Sequence, residues 1–440
     1  MNATSDGLLL PSVTIAQNQR LAETVNVQVW KQLGISAYSL FTVDGFGSSL
    51  CQVMEYRSNG DCNANDGVWI EAASLSEHDF FGCEDFSVVS AAIRDMRCSP
   101  ENETVGPFAR LGWIEELLNW AQNEVAPLGL RVTREFCQLN ASPCFALVRI
   151  ETDGPALWFK AVGEPNLREF SIASTLSRLF PTFLPTLIAN HPRWHGWLAM
   201  DFQGPTLDAT SDATAWERAA AAFAELQIAS LETTDELRDA GCKDLTIASL
   251  QKRVDPFLEV MTLLMEKQEK VTPRALEREE LLMLQMRVKE ALSAFSDLGL
   301  PDVLGHLDIN PGNILCSAER CVFVDWAEAY VGPPFLAMEH LREHFLRIQP
   351  GQPDFKTGPG SRYAGEWGRL LSQNTIAGAQ QLAPIVAVLA YAVGVEQWTN
   401  PQLAKNPRLA AYFRSLTRRI HREAQILEAN STRPTWALGG

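Results

Sequence analysis

The sequence predicts an α+β fold: a strand-rich first half and a helical second half, led by a small α/β module. Three observations carry this. Short apolar runs separated by turn residues recur between Glu135 and Val162. Helical periodicity dominates from Thr214 onward. A tight loop bearing Asp and Asn, followed by a hairpin, interrupts the helices over Val303–Asp325. The chain has 440 residues, 46% of them hydrophobic and 20% charged, enough for full cores; that length suits about two to three domains. A formal net charge of -16 argues against nucleic acid or an anionic membrane as partner, since both need a basic face. The same balance suits an amine-bearing ligand.

Residues 1–100 read as the leading module. Strand character marks Val13–Ile15, Ser36–Thr42, Leu50–Arg57 and Val68–Glu71. Helices are expected over Asn18–Leu33 and Asp85–Met96, and Ser58–Gly67 reads as loop. The polar stretch Cys98–Pro107 is the first boundary. The second segment, 108–204, opens with a helix over Leu111–Ala126 that Pro127 should end. Strands Glu135–Leu139, Phe145–Glu151 and Leu157–Val162 then form an antiparallel meander. A helix over Leu167–Phe180 and a strand over Gly196–Phe202 complete it. The third segment, 205–440, is helical over Thr214–Leu231, Leu245–Gln268 and Arg274–Leu298, with Pro256 expected to kink or divide the second of these. Beyond Pro334 it is helical almost to the end. Leu382–Val395, the most apolar stretch, falls short of a bilayer and predicts a buried helix. Met1–Pro11 has no secretory character, and nine cysteines without CxxC spacing read as reduced thiols. A soluble, cytoplasmic protein is therefore expected.

The chemistry concentrates in Gly305-His306-Leu307-Asp308-Ile309-Asn310-Pro311-Gly312-Asn313, followed by Val322-Phe323-Val324-Asp325-Trp326. Its Asp-to-Asn spacing is that of a phosphoryl-transfer catalytic loop. Such a reaction needs positioning and charge neutralisation more than covalent help. In this reading Asp308 accepts the proton of an attacking hydroxyl, Asn313 and Asp325 hold Mg²⁺ through oxygen, and His306 braces the loop. The alternative is that Asp308 and Asn313 merely cap a turn. Upstream, Lys160 lies on the third meander strand, either as an edge residue or as the partner of ATP phosphates and of a helix glutamate. Glu169 is the best such glutamate, and its alternative is a solvated helix face. No Gly-rich phosphate loop is present. Ser142, in the turn Asn140–Pro143, faces phosphates or simply closes the hairpin.

These residues resemble the aminoglycoside phosphotransferase/choline kinase-like family over roughly Arg134 to Leu346. The resemblance implies a bilobal protein-kinase-like fold, with an antiparallel-sheet N-lobe and a helical C-lobe, and ATP as phosphoryl donor. It also implies a hinge at Met200, Asp201, Phe202, Gln203 and Gly204 whose backbone pairs with adenine; the alternative is a plain strand-ending turn. Gly204 would permit an unusual backbone angle there. The acceptor is then a small hydroxylated molecule, reached from the loop around Asp308 and the helices after Pro334. Glu328, Glu339 and Glu343 would attract an amine on it, or else serve solubility. Asp325-Trp326-Ala327 departs from the Asp-Phe-Gly of protein kinases, which favours small molecules over protein substrates. The missing phosphate loop leaves a nucleotide-binding pseudokinase as the alternative. Residues 1–100 faintly resemble a degenerate Nudix-type domain without its catalytic box. Glu77, His78, Asp79, Glu84 and Asp85 form an acidic cluster there, a metal site or a solvated loop. His340 and His344 read as helix-surface or acceptor-pocket residues. Arg414, Arg418, Arg419 and Arg422 read as a solvated or ion-paired stripe.

Overall fold

The computed structural model describes residues 2–4, 7–15, 20–44, 50–57, 70–80, 83–97, 106–210, 212, 214–348 and 355–431. They form two compact units. The first comprises residues 1–170 and 186–201, and the second 171–185 and 202–440. One division therefore falls between Asp201 and Phe202, within the expected hinge.

The first unit begins with the short pair β1 (Asn2–Thr4) and β2 (Gly7–Leu9). Val13–Ile15, expected as a strand, has no regular structure; no strand pairs with it among the described residues. Helix α1 (Leu21–Leu33) ends at Gly34, whose φ of 67° places it in the left-handed region that glycine tolerates. The hairpin β3 (Ala37–Asp44) and β4 (Leu50–Tyr56) and helix α2 (Cys83–Arg97) follow. The loop 58–67 and Val68-Trp69 lie outside the described residues, and Ile70 and Glu71, expected to end a strand, have no regular structure. Helix α3 (Trp113–Val125) buries Trp113, Ile114, Leu117, Leu118, Ala121 and Val125, the apolar stripe that its spacing dictates. It gives way to a 3₁₀ turn at Pro127.

The main sheet is antiparallel and five-stranded: β5 (Val132–Ala141), β6 (Ala146–Thr152), β7 (Leu157–Ala161), β8 (Leu187–Asn190) and β9 (Gly196–Met200), in the order β5-β6-β7-β9-β8. Strand β8 is absent from the sequence reading. Burial alternates along β6 and β7, so Val148, Ile150, Leu157 and Phe159 enter the core. The leading residues share that core rather than forming a separate one: Tyr38, Leu40 and Phe41 cluster with Trp113, Phe159 and Leu198. The Gln138 side chain pins the two together. It accepts from the Ser39 N–H (2.9 Å) and donates to the Ser39 carbonyl (2.9 Å), as a neighbouring strand would.

The second unit starts within α4 (Arg168–Leu179), which the division cuts after Phe170. Helices α5 (Ala215–Ala229) and α6 (Thr234–Asp239) precede a two-residue strand, β10 (Lys243–Asp244). Helix α7 (Ile247–Glu266) contains Pro256, which therefore does not divide it; Val254, Phe257, Leu258 and Met261 pack around that point in the core. After α8 (Arg278–Asp297) come β11 (Val303–His306), the hairpin β12 (Ile314–Cys316) and β13 (Cys321–Phe323), and β14 (Ala329–Gly332). Helices α9 (Leu336–Ile348), α10 (Pro359–Trp367), α11 (Gln373–Gly394) and α12 (Pro407–Ser431) complete the chain. Helix α11 is longer than the apolar stretch within it: its 22 residues are long and apolar enough to cross a membrane by length and composition alone. In this fold Ile385–Ala390 and Ala392–Val393 are buried in the core of the second unit.

Candidate active site

In the first unit, Lys160 stands on β7 between Leu147 of β6 and Trp197 of β9. Its neighbours Phe159 and Ala161 point into the core, so strand alternation turns Lys160 to the other face. Its Nζ donates to Glu169 Oε1 at 2.5 Å and lies 5.8 Å from the Trp197 ring centroid. Glu169, in the first turn of α4, is 2% exposed, so it is a buried acid with a cation partner and not a solvated helix face. Glu164 is exposed in the preceding turn. Ser142 closes the β5–β6 hairpin. Its N–H donates to the Phe145 carbonyl and its Oγ accepts from the Phe145 N–H, both at 3.0 Å. The Ser142 amide is thus already engaged within the turn. Met200 N–H donates to the Thr186 carbonyl and Asp201 N–H to the Ala156 carbonyl. Asp201 Oδ1 also accepts from the Trp158 indole at 2.7 Å.

In the second unit, a three-stranded sheet of order β10-β14-β11 leads into the segment that carries Asp308 and Asn313. Strands β11 and β14 are buried throughout. Gly305 faces Tyr330 so closely that a Cβ would lie 2.0 Å from a ring carbon; only glycine fits. Strand β11 delivers His306 to the core and Asp308 to the surface: Asp308 is exposed between buried Leu307 and Ile309. Asn310 Nδ2 donates to Asp308 Oδ1 (3.1 Å), and Asn313 Nδ2 to Asp308 Oδ2 (3.2 Å) and to the Asp308 carbonyl (3.0 Å). The Asn310 side chain meanwhile accepts from Gly312 N–H. A Pro-Gly turn closed in this way holds the five-residue interval between Asp308 and Asn313.

The β12–β13 hairpin returns the chain so that Val324 N–H donates to the Asn313 carbonyl at 3.0 Å. Asp325 follows, exposed and in the left-handed region at φ 67°, while Trp326 is buried. A non-glycine residue held there is worth examining for function. His306 is 1% exposed, and its Nε2 lies 3.2 Å from the Val324 carbonyl. A carbonyl only accepts, so Nε2 carries the proton. Burial pushes the His306 pKa down, keeping the ring neutral. Its ring rests 4.7 Å from that of Trp326. His306 thereby ties the strand before Asp308 to the residue before Asp325.

The donor set fits magnesium. Asn313 spends its amide nitrogen on Asp308, which leaves its amide oxygen as the outward atom. With the Asp325 carboxylate this makes a hard, all-oxygen pair, and Mg²⁺ takes few protein ligands and keeps positions for phosphates and water.

Several expectations are corrected. Cys316 and Cys321, read as reduced thiols, are joined by a disulfide; they are direct partners across the hairpin, a register that brings their side chains together. Cys137 and Cys144 are free. Gly204 does not adopt a left-handed angle. It is required by space, since a Cβ would lie 2.6 Å from the Cys316 carbonyl oxygen. Glu328, Glu339 and Glu343, expected either to attract an amine or to serve solubility, pair with Lys243, Arg342 and Arg419; Glu339 is buried, while Glu328 and Glu343 stay 34% and 25% exposed. His340 is buried against Tyr391, not on the helix surface, and burial pushes its pKa down to about 3. The arginine stripe on α12 agrees with the ion-paired reading: Arg419 pairs with Glu343 and Arg422 with Glu423, while Arg414 and Arg418 donate to carbonyls of the second unit. In the first unit, Asp79 caps the turn at Ser76 and Asp85 accepts from Leu10 N–H. Among the described residues no group of three or more His, Cys, Asp or Glu is placed to hold a metal. Lys243 was missed altogether, because a lysine before a helix reads as surface.

Residues 166–336 match the model of the APH family, described as the phosphotransferase enzyme family. Comparison with curated proteins gave no match. Among solved structures, the choline kinase of Cryptosporidium parvum Iowa II aligns with a TM-score of 0.51 at 12% identity, over 74% of this chain and 99% of its own. The Plasmodium vivax ethanolamine kinase aligns with a TM-score of 0.47 at 12% identity, over 77% of this chain and 96% of its own. The choline kinase likeness shows the fold. The family match begins at residue 166, so the Nudix resemblance of the first hundred residues gains nothing from it. The segment that carries Glu169, Asp308, Asn313 and Asp325 is thus the part that matches the model of the phosphotransferase enzyme family, on a protein-kinase-like fold.

Proposed function

We propose that the protein is an ATP-dependent phosphotransferase acting on the hydroxyl of a small molecule. The observation that supports this most is the loop 308–313. It presents an exposed carboxylate on a buried frame, its two oxygens oriented by the amides of Asn310 and Asn313. Asp308 would accept the acceptor's hydroxyl proton and aim its oxygen. Asn313 and Asp325 would hold Mg²⁺, which would neutralise phosphate charge. Lys160, held by buried Glu169, would donate to the α- and β-phosphates. The backbone of Met200–Gly204 would receive adenine. The amides of Met200, Asp201 and Gly204 already donate within the chain, so they would not be the donors to the base.

The acceptor carries a hydroxyl, and the pairing of Glu328, Glu339 and Glu343 with protein cations removes the reason to require an amine on it. Calorimetric titration of ATP with and without Mg²⁺ tests the reading on wild type and Asp325→Ala. Magnesium-dependent binding that Asp325→Ala abolishes is the expected result. A folded wild-type protein that binds no ATP would refute it.

A further inference from the structure

Lys243 is a charged residue almost wholly out of water: its side chain is 4% exposed. Its ammonium pairs with the Glu328 carboxylate and donates to the Gly394 carbonyl at the end of α11 (2.8 Å). A buried ion pair is weak evidence for stability, because well-packed apolar side chains usually do as well or better. What it provides is a fixed geometry, and here the fixed point is Glu328.

Glu328 closes the 3₁₀ turn Trp326–Glu328, directly after Asp325, and β14 starts at the next residue. Its backbone carbonyl accepts from the Leu307 N–H at 3.0 Å, one residue before Asp308. Leu307 is also pressed against Gly394, where a Cβ would lie 2.6 Å from Leu307 Cδ1. One lysine thus grips the two elements, the turn after Asp325 and the end of α11, that enclose Leu307. Strand β10, only two residues long, is paired in parallel to β14 with Lys243 opposite Tyr330, which sets the lysine's place relative to that turn.

We infer that Lys243 is a positioning residue: through Glu328 it sets the separation of Asp308 and Asp325. The inference rests on the function proposed above but goes beyond it, since Lys243 need touch neither nucleotide nor acceptor. Outer-shell partners of metal ligands typically cost about 10–100-fold in metal affinity when removed.

The experiment compares wild type, Lys243→Met, Lys243→Arg and Glu328→Gln in the full chain. The first readout needs no ligand: hydrogen exchange at the Leu307 amide in the apo protein. The second is the Mg²⁺ concentration that half-saturates ATP binding. Lys243→Met should speed Leu307 exchange selectively and raise the Mg²⁺ requirement by about tenfold, the low end because Lys243 touches no ligand directly. Lys243→Arg, which keeps the cation, should recover part of that loss. If Lys243→Met does not fold, Glu328→Gln, which keeps the shape and removes the charge, is read instead with the same expectation. A folded variant with a lower melting temperature but wild-type Leu307 exchange and Mg²⁺ dependence overturns the inference. If wild type itself binds no Mg-ATP, the proposed function fails, and Leu307 exchange alone then decides whether the lysine fixes the loop.

Discussion

The charged residues of the candidate site are held in opposite ways in the two units. In the first, Glu169 is sunk into the fold, 2% exposed, and its partner Lys160 is held against it. In the second, Asp308 and Asp325 stand exposed while the residues beside them, Leu307, Ile309 and Trp326, are buried. A group that only binds charge gains from being fixed in low dielectric. A group that must take a proton or a metal needs access, so its rigidity comes from its neighbours. Removing the first kind should cost stability, and removing the second kind should cost function.

Asp308→Asn tests the contrast most severely. Turnover with an accepted substrate should fall about 10²–10⁴-fold, while the melting temperature stays near wild type. A large loss of stability would show that Asp308 is structural. Glu169→Ala should do the reverse, lowering unfolding free energy by about 3 kcal/mol, the low end for a broken buried pair because Lys160 keeps some solvent. Urea denaturation measures it, and an unchanged midpoint would remove the contrast.

Gly305→Ala places a methyl group against the Tyr330 ring on the strand that leads to Asp308, and should cost about 1–3 kcal/mol by overpacking. Near-neutral stability would mean that Tyr330 moves freely. The smallest effect concerns pH. Burial lowers the His340 pKa from the ordinary 6.5 to about 3, with Arg419, His344 and His306 adding in the same direction. The unfolded chain therefore binds a proton that the folded chain refuses, and stability falls as pH drops from about 6.5 towards 3. His340→Gln should flatten that slope, at a cost at neutral pH of about 1 kcal/mol. A slope that survives the substitution assigns the effect to other groups.

Much of this contrast is legible without coordinates. The Asp308–Asn313 spacing, the hairpin after it and Asp325 are local, and local turn chemistry is written in contiguous residues. Lys160 and Glu169 lie nine positions apart in sequence, on a strand and the helix that follows, so their pairing too is nearly local. Ser142 and Gly204 were less well served. A turn serine has two equally good uses, and a glycine is needed for an angle or for space; only the Phe145 bonds and the Cys316 carbonyl separate those cases.

What the sequence determined by itself is the order of elements and the chemistry each loop can supply, because periodicity and turn residues act over a few positions. Tertiary structure alone decided which charges are buried. Lys243 meets Glu328 across 85 positions and Gly394 across 151, and Gln138 meets Ser39 across 99. Such partners are chosen by packing, and no pattern within a helix or strand records the distant residue that will neutralise it.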